Sequence, residues 1–161
     1  MYTKYDILTA LSQIPDPEIP VISIMELGVI RDVIFDDKRI EVKLTPTYSG
    51  CPAMKQMEDD VRNKLLELGF DDIKLSIIYN PPWTTDWLSA EAKLKLQKYG
   101  IAPPEESTTD KSFLTGKKKN ITCPHCKSTN TIMVSQFGST ACKALYKCND
   151  CLEAFDYFKC I

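Results

Sequence analysis

Two rhythms of apolar residues run along this chain of 161 residues, one of helical and one of strand period, and together they predict its elements. Ile7, Leu8, Leu11 and Ile14 recur at helical spacing behind Thr3-Lys4-Tyr5-Asp6, a helix start, and Pro15 stops them. The segment Asp16-Pro17-Glu18-Ile19-Pro20 reads as a rigid loop, because each proline lacks an amide donor and biases its predecessor toward extended geometry. Residues 29–35 and 39–45 read as a hairpin, with Ile40, Val42 and Leu44 alternating against polar neighbours. Met54, Met57, Val61, Leu65 and Leu68 then mark a helix over 51–68, with Pro52 near its start and Gly69 past its end. Ile73, Leu75, Ile77 and Tyr79 alternate as a third strand, and a further helix spans 89–99 before Gly100.

The order helix, two strands, helix, strand predicts an α+β fold, a small N-terminal sheet with helices packed on it. Pro103-Pro104 and a stretch rich in Ser, Thr, Lys and Glu follow, so residues 1–104 are expected to form the first domain and 105–118 a linker. Residues 119–161 hold two Cys-x-x-Cys turns, Cys123 to Cys126 and Cys148 to Cys151, on either side of strands expected over 131–137 and 144–147 with a turn at Gly138-Ser139, and so read as a C-terminal zinc-ribbon-like β domain bearing four cysteines.

Composition narrows the class without changing this picture. Hydrophobic residues at 43% and charged residues at 26% match a folded globular chain rather than disorder. No apolar run suits a membrane span and the N-terminal residues lack the pattern of a secretory signal, so a cytoplasmic protein is expected. Charge is divided: residues 1–110 carry 12 basic against 19 acidic side chains, and 111–161 carry 8 against 3. Lys117-Lys118-Lys119 raises a nucleic-acid reading, but no arginine follows Arg62 and the net charge is -2, so no nucleic-acid partner is expected.

The cysteines carry the chemistry. Six of seven lie from Cys123 to Cys160, and in a reducing compartment such clustering points to metal ligation rather than disulfides. Cys123-Pro124-His125-Cys126 and Cys148-Asn149-Asp150-Cys151 are two Cys-x-x-Cys knuckles, which facing each other across a hairpin deliver four thiolates to a tetrahedral ion. Zinc is the expected metal; an iron-sulfur cluster uses the same ligand set and spacing does not separate the two. Cys142 and Cys160 are either buried small residues or additional ligands, and His125 is expected to be a turn residue outside the ligand set. Upstream, Cys51 stands at the expected start of a helix and is either a reactive thiol, its pKa lowered by amide donors and the dipole with the hydroxyls of Thr45, Thr47, Tyr48 and Ser49 near it, or a buried cap cysteine with no chemistry. Asp16 and Glu18 are either solvated loop carboxylates or metal or partner contacts. No Ser-His-Asp set or phosphate-binding glycine loop is present in the sequence, and the only histidine sits in a knuckle, so an enzyme is not expected.

Asp16-Pro17-Glu18-Ile19-Pro20, Glu26-Leu27-Gly28-Val29-Ile30 and Leu44-Thr45-Pro46-Thr47-Tyr48-Ser49-Gly50-Cys51-Pro52-Ala53 resemble the domain of iron-sulfur assembly proteins of the SufT type. Pro81-Pro82-Trp83-Thr84-Thr85-Asp86-Trp87, the run from Phe137 through Tyr146 and Phe155-Asp156-Tyr157-Phe158-Lys159-Cys160 are similar to the PaaD family of phenylacetate degradation. Ala154 and Lys127 depart from that pattern, where proline and glycine are usual. The resemblance implies an accessory protein of phenylacetyl-CoA 1,2-epoxidase that assists assembly or delivery of its iron or iron-sulfur centre. The resemblance places Asp16 and Cys51 on the functional face and makes oxygenase or reductase components the partners; on the residues themselves Glu18 and Thr47 join Cys51 and Asp16 as the candidate transfer site, and a homodimer would offer two such thiols. A structural adaptor docking those components through the metal-bound tail is the alternative.

Overall fold

The computed structural model describes residues 2–105 and 121–159, and the chain divides into two compact units, Met1–Trp83 and Thr84–Ile161. In the first, helix α1 (Lys4–Leu11) opens with a capping box. The Thr3 hydroxyl accepts the Asp6 amide and the Asp6 carboxylate accepts the Thr3 amide, satisfying donors that the first helical turn leaves unpaired. Strands β1 (Ile30–Phe35) and β2 (Arg39–Leu44) form the expected antiparallel hairpin, helix α2 spans Met54–Glu67, and β3 (Asp72–Ile77) returns parallel to β2. The order β1-β2-β3 makes β2 the central strand, and its alternating Ile40, Val42 and Leu44 are wholly buried, as are Val61 and Leu65 of α2. A helix needed to carry the chain from β2 to a parallel neighbour is what the apolar spacing after Met54 supplies.

Helix α2 begins at Met54, later than the expected start at Cys51. Gly50 takes a left-handed φ of 79° and residues 52–53 continue as a turn, the Met54 amide donating to the Cys51 carbonyl at 3.3 Å. Cys51 therefore lies in the loop before the helix.

In the second unit, helix α3 (Ala90–Tyr99) is capped by the Ser89 hydroxyl and ends on Gly100 in the left-handed conformation. Strands β4 (Ile101–Ala102), β5 (Thr131–Ser135), β6 (Lys143–Cys148) and β7 (Ala154–Phe158) form one sheet in the order β4-β7-β6-β5. β4 is parallel to β7 and the other pairs are antiparallel. Helix α3 and β4, which the patterning assigns to the first domain, belong to the second unit because Ile101 and Ala102 pair with Asp156 and Tyr157. The boundary thus falls at Trp83/Thr84 rather than near 104. Of the expected linker, all but residue 105 lies outside the described residues. No helix among the described residues is long and apolar enough to cross a membrane.

Candidate metal centre and cysteine loop

Each knuckle is built by local hydrogen bonding before any ion is considered. The Lys127 amide donates to the Cys123 carbonyl at 3.0 Å, the Cys123 amide to the Ser128 carbonyl at 2.8 Å, and the Cys148 amide to the Glu153 carbonyl at 2.9 Å. The tight turns aim further amides at sulfur: that of Ser128 at Cys126, those of Cys151 and Asp150 at Cys148, and that of Glu153 at Cys151. Such donors stabilise thiolate ligands.

The two knuckles are locked together by Asp150, whose carboxylate accepts from the Ser128 hydroxyl and, at 2.8 Å, from the Asn130 amide group. These bonds, the Ser128 hydroxyl first, hold the Asp150 carboxyl below the usual carboxylate range. Beneath the cage Ala102, Ile121, Ala144, Tyr146 and Phe155 pack against Cys123 and Cys148, with Tyr146 stacked on Phe155 at 5.9 Å between centroids. Four of the five belong to the sheet, so the strands set the sulfurs' spacing.

The sulfurs of Cys123, Cys126, Cys148 and Cys151 all lie within 4.8 Å of one another; Cys123 to Cys151 is 3.8 Å and Cys126 to Cys148 is 3.5 Å. Tetrahedral zinc with bonds near 2.3 Å sets its sulfurs about 3.8 Å apart, so the donor set fits a single ion. Amide donors, those of Cys151 and then Asp150, bring the Cys148 thiol down to about 7. The Glu153 amide favours the Cys151 thiolate too, but burial and three neighbouring sulfurs outweigh it and push that thiol up to about 12. Four sulfurs this close cannot all ionise without a cation between them. As expected, His125 is exposed in its turn and outside the set, its ring edge over Gly100. Cys142 is buried beside the Thr140 hydroxyl at 3.1 Å and does not join the cage, and Cys160 lies outside the described residues.

The residue after the second cysteine of each knuckle is left-handed: Lys127 has φ 66° and Leu152 φ 65°. An L-residue in that conformation is strained by about 1–2 kcal/mol, and glycine is not. Leu152 is 69% exposed, so its side chain contributes little packing. Leu152→Gly is therefore expected to stabilise the metal-bound unit by up to about 1 kcal/mol after the extra unfolded-chain entropy of glycine. Lys127→Gly should gain less, since it also removes the 2.8 Å bond from Lys127 Nζ to the Pro124 carbonyl. Thermal melts of the two variants in matched metal buffer check this ranking.

In the first unit the loop between α1 and β1 is not solvated at Asp16. That side chain is 3% exposed, and its carboxylate accepts from the amides of Glu18 at 2.9 Å and Ile19 at 2.7 Å. The turn buries Ile19, Ile22, Ile24 and Leu27, and the Trp83 indole donates to the Leu27 carbonyl at 2.8 Å. The same turn carries Glu18 and Asp16, whose charges act on the thiol of Cys51, which is half-buried.

The environment reverses the expected pKa of that thiol. Burial pushes Cys51 above its ordinary value, the Ala53 amide opposes, the carboxylate of Glu18 adds to the rise, the Tyr48 hydroxyl opposes, and Asp16 adds again. Thr47 is partly buried in the same loop, and Thr45 is buried with an Oγ1 that has no hydrogen-bond partner among the described residues.

Residues 107–159 match the family model described as PaaD zinc beta ribbon domain, and residues 4–73 match that described as Iron-sulfur cluster assembly protein. The chain is 43% identical over 157 residues to a protein of Escherichia coli (strain K12) that bears the name "Putative 1,2-phenylacetyl-CoA epoxidase" as one of its subunits, covering 98% of this chain and 93% of that protein. It is 38% identical over 95 residues to a Bacillus subtilis (strain 168) protein named Fe-S protein maturation auxiliary factor YitW, covering 58% of this chain and 92% of that one. Among solved structures, the domain of unknown function DUF59 from Bacillus anthracis superposes with a TM-score of 0.54 at 29% identity, over 58% of this chain and 90% of that one.

Proposed function

This chain belongs to the PaaD family, and from that premise we propose that it is a non-catalytic accessory protein of a phenylacetyl-CoA epoxidase system that assists assembly or delivery of an iron or iron-sulfur centre. The observation that carries this reading is that the half-buried Cys51 thiol lies in the field of the Glu18 and Asp16 carboxylates within the part of the chain that matches iron-sulfur assembly proteins. The names of the relatives, maturation auxiliary factors and an epoxidase component, support it.

A thiol with a raised pKa suits transfer better than storage. Near neutral pH it stays protonated until a cation displaces the proton, and the proton then competes for the sulfur, which keeps an iron species exchangeable. Glu18, and Thr47 in the same loop, supply oxygen donors to complete a temporary coordination shell. The four-thiolate cage plays the opposite part. Its sulfur spacing supports one closed zinc ion as a permanent staple, because a multi-iron cluster interposed among the ligands would hold them farther apart than 3.5 to 3.8 Å. That same closure also favours the second reading, in which the ribbon docks on oxygenase or reductase components in the cytoplasm.

The test is Cys51→Ser in cells lacking the native copy. Iron content and activity of the epoxidase system should fall on the order of tenfold while the variant's metal content and circular dichroism stay unchanged. Full iron loading of the clients with this variant would remove the proposal. Co-purification that survives Cys51→Ser but is lost on disrupting the ribbon would favour docking.

A further inference from the structure

Strand β5 is an edge. The sheet order β4-β7-β6-β5 leaves it paired with β6 on one side, and on the other side no strand lies among the described residues. Ile132, Met133 and Val134 are 47%, 49% and 56% exposed, and Phe137 just beyond is 56% exposed. Natural edges are normally blunted by charges, proline or bulges, since an open row of amides and carbonyls invites another strand. Residues 128–138 contain no charged residue and no proline. The one protective device is a bulge, the register passing from Met133↔Tyr146 to Ser135↔Leu145, and it leaves Val134 in solvent.

The strand is also palindromic in chemistry. Thr131-Ile132-Met133-Val134-Ser135 reads hydroxyl, β-branched, methionine, β-branched, hydroxyl in either direction. From this self-complementarity we propose that β5 pairs antiparallel with β5 of a second copy across a two-fold axis at Met133, joining two four-stranded sheets. Ile132 then faces Val134 of the other copy, an apolar pairing that favours antiparallel association, while the hydroxyls of Thr131 and Ser135, bonded to the Ile121 and Phe137 backbones of their own chain, add nothing across the axis. A heterologous strand would need no such symmetry, which is why the second copy is the occupant argued for. No charge opposes the pairing at the strand itself, since residues 128–138 are uncharged. The bulge interrupts the ladder at Val134, so the contact rests on few backbone bonds and on the apolar side chains. An interface of one short strand lies at the small end of specific contacts, so the dimer is weak, with a dissociation constant on the order of 10–100 µM.

Sedimentation equilibrium on the metal-loaded full chain tests this. The apparent mass should rise with concentration from 18.3 kDa toward twice that value. Met133→Lys sets two like charges against each other at the axis and should hold the chain monomeric at every concentration, with metal content and circular dichroism unchanged. Met133→Cys should cross-link to its mate under mild oxidation, and Phe137→Cys, away from the axis, should cross-link far less. A wild-type chain that stays monomeric to several hundred micromolar overturns the proposal. So does a dimer indifferent to Met133→Lys, or Phe137→Cys cross-linking as readily as Met133→Cys. Because none of these readouts involves Cys51 or client iron, their outcome is separable from that of the transfer reading.

Discussion

Stripping the metal with a strong chelator is expected to unfold the sheet β4 to β7, with loss of its circular dichroism and of the ordered environment of Tyr146. The core beneath the cage holds seven residues, two of them the ligands Cys123 and Cys148, and the ligand Cys151 packs on its edge. Without an ion, these three members of the hydrophobic cluster are thiols within 4.8 Å that repel as they ionise. Small structural zinc sites supply on the order of 10 kcal/mol or more, comparable with the whole stability of an ordinary domain. Cys148→Ser should produce the same loss at ordinary metal concentrations. The pH dependence has a definite sign: ligands bind as thiolates, so falling pH replaces metal by protons. Cys148, depressed to about 7, remains metal-ready lower in pH than Cys126, whose thiol is raised, whereas Cys151, pushed up to about 12, releases its proton only to the metal. Affinity should therefore weaken on acidification by up to about tenfold per pH unit for each proton displaced, measurable by competition with a chromophoric chelator. Retention of the fold in fully metal-free protein would contradict this account.

Asp16→Ala is expected to destabilise the first unit as much as truncating a core side chain. It removes an almost wholly buried carboxylate and strands the amides of Glu18 and Ile19. Each hydrogen bond to a charged acceptor contributes about 1.5–3 kcal/mol, and an unsatisfied buried amide costs a similar amount. A loss of about 3 kcal/mol should lower the melting temperature of a unit this size by roughly 12 °C or more. Asp16→Asn keeps one acceptor oxygen and should lose less than half as much. The damage reaches the thiol, because this turn holds Glu18, whose charge acts on Cys51. In the alanine variant the Cys51 thiol should titrate closer to an ordinary cysteine, since one carboxylate is gone and its burial is loosened. Peptide-resolved alkylation across pH, with both variants and the wild type, reads this; an unchanged profile would mean that the turn does not shape the thiol's surroundings.

What the sequence determined by itself is whatever depends on short spacing. Each Cys-x-x-Cys turn aims its own two sulfurs at one side because it closes through hydrogen bonds only a few residues apart, whereas the two pairs meet through Asp150 and the strands beneath them. The capping box at Thr3 and Asp6, the buried alternation of β2 and the helical stop at Gly100 are local in the same sense. Only the tertiary structure decided the features that join distant segments. The two-residue strand β4 carries no periodicity of its own and exists because β7 accepts it, which moves α3 into the second unit. The place of Cys51 before a helix would by itself ease its ionisation. Its pKa instead rises, because burial and carboxylates more than thirty positions away in sequence outweigh the local amides. Hydrogen-bonded turns are encoded by neighbours, but desolvation and charge proximity are properties of the packed chain.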